Sequence, residues 1–526
     1  MSERACDTIA RWFGPAERPL LGWLSVPAGG GGDSGALILP PVGYAYWSVH
    51  RTLRTLAERL AGAGYLTLRL DYDGAGDSAG EQSDPERVRA WRASAAEGAA
   101  ELRGLGVRRL VVFGARFGGW IALRDGAALG AQAVVAWAPV ISGRRYAREI
   151  RLLASEAPDG SLVAGGTLYL AQTLAELATL DAAGLALTPA PRTLVIASNE
   201  GEEMALGERA ELLDVAGGEC ALEQPAEYAT VPQEIVAGIV DWLGPARADG
   251  RAIEANAVAR FDGLREEVVE LGQQRLVAIE TEPADGAAKA TLVLLNTGSE
   301  PHIGPGRAWV EYSRALAARG YRCVRADFRG WGESPDDGLA PGRPYDAHCV
   351  EDAIAIVRAL RERHGGPVVA AGLCASAWVA LRVALSEPLD GVIALNPQLY
   401  WKPGDPVEAT MAETRLRRST EREREARGGR LGLWSLLDML GERAWAARWL
   451  DELARSGVPI TLAFAAGDDG IEFLRNRHAR RFSRALRRGS IEVVEIPDID
   501  HAMGRVWLRE RIVAVLLERL ERIVGR

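Results

Sequence analysis

Short runs of four or five apolar residues recur along the chain, and each is bounded by glycine, proline or charged residues. Between these runs lie longer segments in which apolar residues repeat every three or four positions, the spacing of an amphipathic helix. Strands that alternate with helices in this way predict parallel, doubly wound sheets. The predicted strands are 36–39, 110–113, 133–137, 193–197, 291–295, 368–371, 392–395 and 460–464. The predicted helices include 53–60, 231–243, 309–318 and 505–524, and a hairpin is predicted at the start of each half.

The second half of the chain repeats the first. Asp71 and Asp327 lie 256 positions apart, as do Ser78 and Ser334, and a Gly-X-Gly turn lies within each copy. Self-similarity at that period predicts two copies of one domain rather than a solenoid. The chain is therefore predicted to have three parts, which are a first domain (1–245), a linker (246–258) and a second domain (259–526).

Each copy also contains a longer, mainly helical insertion, at roughly 142–190 in the first and 402–455 in the second. The second insertion is expected to form a lid. The lid tryptophans either line an apolar pocket or pack within the lid, and they are Trp434, Trp445 and Trp449. The mixed charges of 415–427 are typical of a solvated helix face, with a partner-docking surface as the alternative.

The composition is that of a soluble globular protein, since 48% of the 526 residues are apolar and 25% are charged. A chain of this length exceeds one hydrophobic core, which agrees with two domains. The formal charge of −9 argues against a nucleic-acid scaffold, and no apolar run reaches the roughly 18 residues of a membrane span. The sequence therefore predicts neither a nucleic-acid nor a membrane partner, and it leaves a homo-oligomer open.

The N-terminus lacks the basic-then-apolar pattern of a secretion signal. The widely spaced cysteines form no CxxC pair, so neither a disulfide framework nor a zinc site is predicted. Reduced thiols of this kind are expected in the cytoplasm. The Gly-X-Gly turns lack the third glycine of a dinucleotide-binding motif, so no cofactor is predicted. The five cysteines are Cys6, Cys220, Cys323, Cys349 and Cys374.

The segment from Val368 to Trp378 predicts a buried strand, a sharp turn and a helix. Within it, the residues from Gly372 to Ser376 follow the Gly-X-nucleophile-X-small pattern of a nucleophile elbow. Such a turn lifts one side chain above the sheet, and here that side chain is Cys374. The last position of the motif is Ser376, where glycine is more usual.

This order of elements, with Gly-X-Gly-[Asp/Glu]-Ser after the fourth strand and an elbow after the fifth, resembles the α/β-hydrolase family. The resemblance covers nearly the whole chain and implies two tandem α/β-hydrolase domains, each a mostly parallel doubly wound sheet with a helical cap insertion. In that family a nucleophile, an acid and a histidine follow one another along the chain. The second half has Cys374 at the elbow, Asp468 after the strand 460–464 and His501 before the last helix. Asp469 is the neighbouring alternative for the acid.

The roles that this resemblance implies follow from acyl-transfer chemistry. His501 takes the proton of Cys374, because the thiolate is the attacking form, and Asp468 holds the His501 tautomer. The dipole at the start of the elbow helix also favours the anion. The alternative for Cys374 is an ordinary small residue of the core.

An oxyanion formed on attack needs hydrogen-bond donors. The backbone N–H of Ala375 is expected to be one, and Thr297 or Gly298, in the loop after the first parallel strand, is expected to supply the second. Arg307 is suited to a phosphate or carboxylate, and a bridge that braces the loop is the alternative. The candidate substrate-binding residues of the second half are His302, Arg307, Tyr400 and Trp401.

The elbow of the first half has Arg116 where the nucleophile belongs, and a guanidinium cannot attack. This half also lacks a histidine in the expected place, so it is predicted to be a degenerate copy. It resembles a bacterial group of hydrolase-like proteins that accompany exopolysaccharide and exosortase systems and have Arg at the elbow, followed by a strand end like Trp137-Ala138-Pro139. Arg116 either binds an anion, such as a carrier's phosphate or a carboxylate, or pairs internally with Glu200 or Glu227.

Cysteine elbows also occur in polyhydroxyalkanoate synthases, dienelactone hydrolases and some release domains of polyketide and peptide assembly lines, which the second half resembles at the site and in the fold. The first hypothesis is an enzyme of specialised metabolism that moves or cyclises an acyl group from a thioester or ester, free or bound to a carrier protein. Hydrolysis by the same residues, as in a thioesterase or esterase, is the second hypothesis. A non-catalytic tandem scaffold is the third.

Overall fold

The computed structural model describes residues 6–181, 192–198, 206, 210–213, 215, 222, 224, 229–298, 300–339, 343–399, 401, 445–446 and 448–525. The chain divides into two compact units, Met1–Glu267 and Val268–Arg526. Within the described ranges, no helix combines the length and the apolar composition needed to cross a bilayer.

The first unit contains one large, mostly parallel sheet and several shorter strands. The strands are β1 (Cys6–Phe13), β2 (Leu20–Pro27), β3 (Gly31–Gly32), β4 (Ser34–Leu39), β5 (Leu66–Leu70), β6 (Arg109–Ala115), β7 (Ala131–Trp137), β8 (Ser155–Glu156), β9 (Leu162–Ala164), β10 (Thr167–Tyr169), β11 (Arg192–Ile196), β12 (Glu211–Leu212) and β13 (Ala248–Arg251). Eight of them form the order β1-β2-β5-β4-β6-β7-β11-β12, in which β2 is antiparallel to both of its neighbours. The helices are α1 (Tyr44–Gly62), α2 (Arg87–Gly104), α3 (Phe117–Asp125), α4 (Gly143–Leu153), α5 (Ala171–Ala178) and α6 (Gln233–Leu243).

The alternation of side chains along the central strand β4 explains why helices lie on both faces of this sheet. Leu37 and Leu39 belong to one buried apolar cluster, whereas Ala36 and Ile38 belong to another. Successive side chains of a strand point to opposite faces, so the two clusters lie on opposite sides of the sheet. Burial of each leucine stabilises the fold by roughly 1.5–3 kcal/mol, and both faces therefore require a cover.

The second sheet repeats this plan. Its strands are β14 (Val258–Phe261), β15 (Leu264–Leu271), β16 (Leu276–Pro283), β17 (Thr291–Leu295), β18 (Arg322–Ala326), β19 (Val368–Leu373), β20 (Gly391–Leu395), β21 (Ile460–Ala465) and β22 (Ile491–Ile496). They form the order β14-β15-β16-β18-β17-β19-β20-β21-β22. From β15 onward this order equals that of the first sheet, strand for strand. The helices are α7 (Ala308–Ala317), α8 (Ala347–His364), α9 (Ala375–Val383), α10 (Asp469–Arg487) and α11 (Arg509–Val524), with 3-10 turns at Pro305–Arg307 and Val506–Leu508.

Both sheets have the same hydrogen-bonded turn after the Arg-X-Asp strand. Ser78 Oγ donates to the Asp71 carbonyl oxygen at 2.7 Å and accepts from the Leu21 N–H at 2.9 Å. Ser334 Oγ donates to the Asp327 carbonyl oxygen at the same distance of 2.7 Å. The Asp and Ser that repeat in the sequence are therefore explained by one turn that occurs in each unit.

The segment predicted as a linker, 246–258, contains regular structure. Strand β13 pairs antiparallel with β3, and Nδ2 of Asn256 donates to the carbonyl oxygen of Trp12 at 2.6 Å. The boundary between the compact units falls after Glu267, within β15. Glycine and proline mark where regular structure ends, but they do not reveal pairing with a strand that is distant in sequence.

The first insertion differs from the expected helical segment, because it combines α4 and α5 with a three-stranded sheet of order β10-β9-β8. Strands of two or three residues are too short to show a period in the sequence. Most of the second insertion lies outside the described residues, and so do the charged stretch 415–427 and Trp434.

Candidate active site

The elbow lies between β19 and α9. Cys374 has a φ of 56° and is the residue immediately before the helix, and its N–H donates to the Leu395 carbonyl oxygen at 2.9 Å. Gly372 is required for close packing, because a Cβ at that position would be in hard contact with the backbone of Ser376. The strained φ of Cys374 is the kind of backbone geometry that is found at functional sites.

Ser376, at the motif position where glycine is usual, is accommodated by its own hydrogen bonds. Its hydroxyl is buried, accepts from the Leu373 N–H at 2.9 Å and donates to the Leu373 carbonyl oxygen at 3.1 Å. In the first unit the corresponding residue is Gly118, where a Cβ would be in hard contact with the Leu39 carbonyl oxygen. The second elbow therefore has room for a side chain that the first lacks.

The structure brings Asp468 and His501 together. Oδ2 of Asp468 lies 2.6 Å from Nδ1 of His501, and Oδ1 accepts from the Gly470 N–H at 2.8 Å. Asp468 is also the N-cap residue of α10, and it is buried, whereas Asp469 is exposed. Both oxygens of the Asp468 carboxylate are thus held, which fixes the orientation of the imidazole.

Asp468 and Cys374 both influence the charge of the His501 ring. Burial lowers the pKa of His501, but hydrogen bonds with Asp468 and Cys374 and the negative charges of both groups raise that pKa to about 10. Nδ1 is taken by Asp468, so Nε2 is the ring nitrogen that remains for another partner. The raised pKa favours the protonated form of the ring, so His501 is suited to hold a proton given up by the partly exposed Cys374.

The other thiols of the second unit have a different environment. Burial raises the pKa of Cys323 to about 12, and it also raises the pKa of Cys349. Both are buried, whereas Cys374 and Cys6 are partly exposed. Since the thiolate is the reactive form, burial and a raised pKa make Cys323 and Cys349 poor nucleophiles compared with an exposed thiol.

The expected oxyanion donors are the N–H of Ala375 and a group of Thr297 or Gly298. Ala375 is the first residue of α9, and the first N–H groups of a helix have no intrahelical acceptor. Gly298 has a φ of 56°, and a Cβ there would meet no atom within 4 Å, so its backbone borders open space. Thr297 has a buried hydroxyl without a hydrogen-bond partner in the described part of the chain. Asn296 shapes this loop, because its Nδ2 donates to the Glu300 carbonyl oxygen at 3.0 Å.

His302 and Arg307 follow this loop closely along the chain. Nδ1 of His302 is 2.6 Å from Oδ2 of Asp327, and both side chains are buried. Arg307 is buried at the start of α7. Arg509 donates to the Gly306 carbonyl oxygen at 2.7 Å. The buried contact between His302 and Asp327 thus fits the alternative in which this region braces the loop.

Trp401 belongs to an aromatic cluster. Its carbonyl oxygen accepts from the indole N–H of Trp378 at 3.1 Å and from that of Trp445 at 3.0 Å. Trp449 packs against Trp378 with ring centroids 5.7 Å apart, and Trp401 and Trp449 are both buried. Trp378, Trp401 and Trp449 belong to one buried apolar cluster, and Trp445 is half-buried beside it. Tyr400 lies outside the described residues.

Arg116, at the elbow of the first unit, has a partner on α4. Its guanidinium donates to Oε2 of Glu149 at 2.7 Å and lies 5.7 Å from the centroid of the Tyr146 ring. The partners expected from the sequence, Glu200 and Glu227, lie outside the described residues. An ion pair with a cap helix could not be foreseen, because it depends on how that helix packs over the elbow.

Asn396 is a residue of this region that sequence reasoning did not single out. It follows β20 directly, and its side chain contacts the backbone of His501. The available signal was an asparagine before Pro397 at a strand end, which alone does not distinguish a turn residue from a functional one.

Comparison with known proteins bears on the fold. Residues 292–514 match the alpha/beta hydrolase family. No curated protein matches the chain. Together with the strand order, the family match confirms the α/β-hydrolase fold predicted from the sequence.

Solved structures with likeness to the chain each span about half of it. An alpha-beta serine hydrolase homologue from Coxiella burnetii is 16% identical with a TM-score of 0.33, covering 51% of this chain and 100% of its own. The thioesterase domain from the curacin biosynthetic pathway is 15% identical with a TM-score of 0.33, covering 49% and 100%. A dienelactone hydrolase from Anabaena variabilis is 13% identical with a TM-score of 0.32, covering 49% and 96%.

Proposed function

We propose that the second unit is an acyl-transfer enzyme in which Cys374 forms a thioester acyl-enzyme. His501 moves the protons, and Asp468 orients His501. The observation that supports this most is the 2.6 Å contact between Nδ1 of His501 and Oδ2 of Asp468, because it holds one ring nitrogen and leaves Nε2 to act as the base. The donor is an acyl thioester or ester, free or on a carrier protein, and the acceptor is an amine, an alcohol or a group of the same acyl chain.

The reaction proceeds in two halves. The Cys374 proton goes to Nε2 of His501, and the sulfur forms a bond to the acyl carbonyl carbon. The oxyanion accepts from the Ala375 N–H and from a donor of the 297–298 loop. Its collapse breaks the bond to the leaving thiolate or alkoxide, which takes the proton from His501. The acceptor then gives a proton to His501 and attacks the acyl carbonyl carbon, the C–S bond breaks, and the Cys374 sulfur takes the proton from His501 as the acylated product leaves.

Hydrolysis is the second candidate function. The His501 side chain is 39% exposed, so water can reach the base and serve as the acceptor. Both functions pass through the same acyl-Cys374 intermediate, whereas a tandem scaffold would form none. Product analysis with and without an added amine or alcohol separates transfer from hydrolysis.

The test is intact-mass spectrometry of the protein after mixing with N-acetylcysteamine thioesters of short and medium acyl chains. We expect one added acyl mass on the wild type and none on Cys374→Ala. The matched control is Cys6→Ala, which removes the other partly exposed thiol of the described chain and should leave the adduct unchanged. Equal turnover of the thioesters by Cys374→Ala and the wild type would contradict the proposal.

A further inference from the structure

The end of β20 contacts all three parts of the proposed site. The Leu395 carbonyl oxygen accepts from the N–H of Cys374 at 2.9 Å. The next residue, Asn396, extends its amide between the histidine loop and the acid loop. Nδ2 donates to the His501 carbonyl oxygen at 2.8 Å, and Oδ1 accepts from the Ala465 N–H at 2.7 Å.

These two contacts assign the amide one orientation, in which Nδ2 donates and Oδ1 accepts. Asn396 is fully buried, and its φ of 46° places the side chain at a sharp bend. Ala465 ends β21, three positions before Asp468. One side chain therefore fixes the distance between the backbone of His501 and the turn that presents Asp468.

The first unit provides an internal comparison. Its elbow residue Arg116 donates its N–H to the Trp137 carbonyl oxygen at 2.9 Å, as Cys374 does to Leu395. The residue after Trp137 is Ala138, which has a φ of 42°. The bend at this strand end thus forms without a side-chain amide in the first unit, whose elbow has Arg116 in place of a cysteine.

We propose that Asn396 is a positioning residue that sets the reactivity of Cys374 by holding the His501 loop against the Asp468 turn. This inference rests on the proposed acyl transfer. The fold itself does not require the amide, as Ala138 shows. The amide instead ties the backbone of His501 to the strand end before Asp468, and so it supports the 2.6 Å contact between His501 and Asp468.

Two substitutions separate the amide from the backbone bend. Asn396→Ala copies the residue of the first unit. Asn396→Gly also removes the amide, but glycine adopts a positive φ without a steric cost. This variant therefore separates the loss of the amide from a folding defect caused by backbone strain. Asn256→Ala is the matched control, because it removes an amide-to-carbonyl hydrogen bond of 2.6 Å outside the second unit.

The assay measures alkylation of Cys374 by iodoacetamide between pH 5 and 10, and turnover of a hexanoyl N-acetylcysteamine thioester, on the full chain. In both Asn396 variants we expect the alkylation rate at pH 7 and kcat to fall about three- to ten-fold, the value of one hydrogen bond. KM should stay unchanged, because Asn396 is fully buried and offers no exposed surface to a substrate. The alkylation profile should also move to higher pH, which a purely structural role would not cause.

Different results would contradict the inference about Asn396 and the proposed function. If both Asn396 variants retain the wild-type pH profile and kcat, the inference is overturned. If the alkylation rate and kcat fall in Asn396→Ala but not in Asn396→Gly, backbone strain is the cause of the loss, and the inference is also overturned. If the wild-type profile is the same as that of His501→Gln, the proposed function fails instead.

Discussion

Replacement of Asp468 by asparagine tests whether the carboxylate beside the His501 ring controls the reactivity of Cys374. The substitution keeps an oxygen that can accept from the Gly470 N–H and cap α10. It removes the negative charge that lies 2.6 Å from Nδ1 of His501. The change therefore acts on the ring while the helix start is retained.

The magnitude follows from one charge-assisted contact. Hydrogen bonds to charged groups contribute about 1.5–3 kcal/mol. The His501 side chain is partly exposed, and screening by solvent moves the value to the lower end of that range. About 1.4 kcal/mol corresponds to a factor of ten. We therefore expect the rate constant for alkylation of Cys374 at pH 7 to fall about ten-fold in Asp468→Asn, with the rate profile moved to higher pH.

The assay is iodoacetamide labelling with mass-spectrometric quantification of the peptide that contains Cys374. Cys323 and Cys349 serve as internal references, because burial raises the pKa of both thiols. Asp469→Asn is the matched control, since it makes the same charge change at the next, exposed position. Equal slowing in the two variants, or none in Asp468→Asn, would refute the reasoning.

Three further predictions use other features of the structure. The pKa of His501 is raised to about 10, so its proton stabilises the fold below about pH 6.5 and this contribution is lost as the pH rises through 10; the wild type should exceed His501→Gln in thermal midpoint by more at pH 6 than at pH 10, and a constant difference would contradict this. Gly372→Ala forces a Cβ against the next helix and should cost about 1–3 kcal/mol in urea unfolding, whereas Gly104→Ala, at a helix end with open space, should cost nothing. In a double-mutant cycle, Arg116→Ala and Glu149→Ala should couple by less than about 1 kcal/mol, because the ion pair is partly exposed; a larger value would show that the pair organises this elbow.

The sequence was sufficient for the sheets and for the elbow. Buried strands such as β4 and β19 are continuous apolar runs, and a Gly-X-Cys-X-Ser turn after such a run leaves few other geometries. The spacing of the repeat anticipated the turn at Ser78 and Ser334, whose hydroxyls make the same bond to the preceding aspartate in both units.

The sequence was not sufficient where two parts of the fold meet. Asp468 and Asp469 are adjacent and chemically equal, and only the start of α10 decides which one is buried beside His501. The partner of Arg116 is Glu149 on a cap helix, a contact that no local pattern encodes. Asn396 was hidden for the same reason, since its partners are 69 and 105 positions away along the chain.

Asp468 both caps α10 and holds the His501 ring, so local unfolding of the helix start would also affect the proposed chemistry. One oxygen closes the first turn of α10, and the other orients the imidazole. Helix ends open locally at a lower free energy than the whole domain. On warming, fraying of this one turn would release the ring before any strand separates. Heat inactivation would then be reversible at first, and it would precede the loss of the circular-dichroism signal of the sheets.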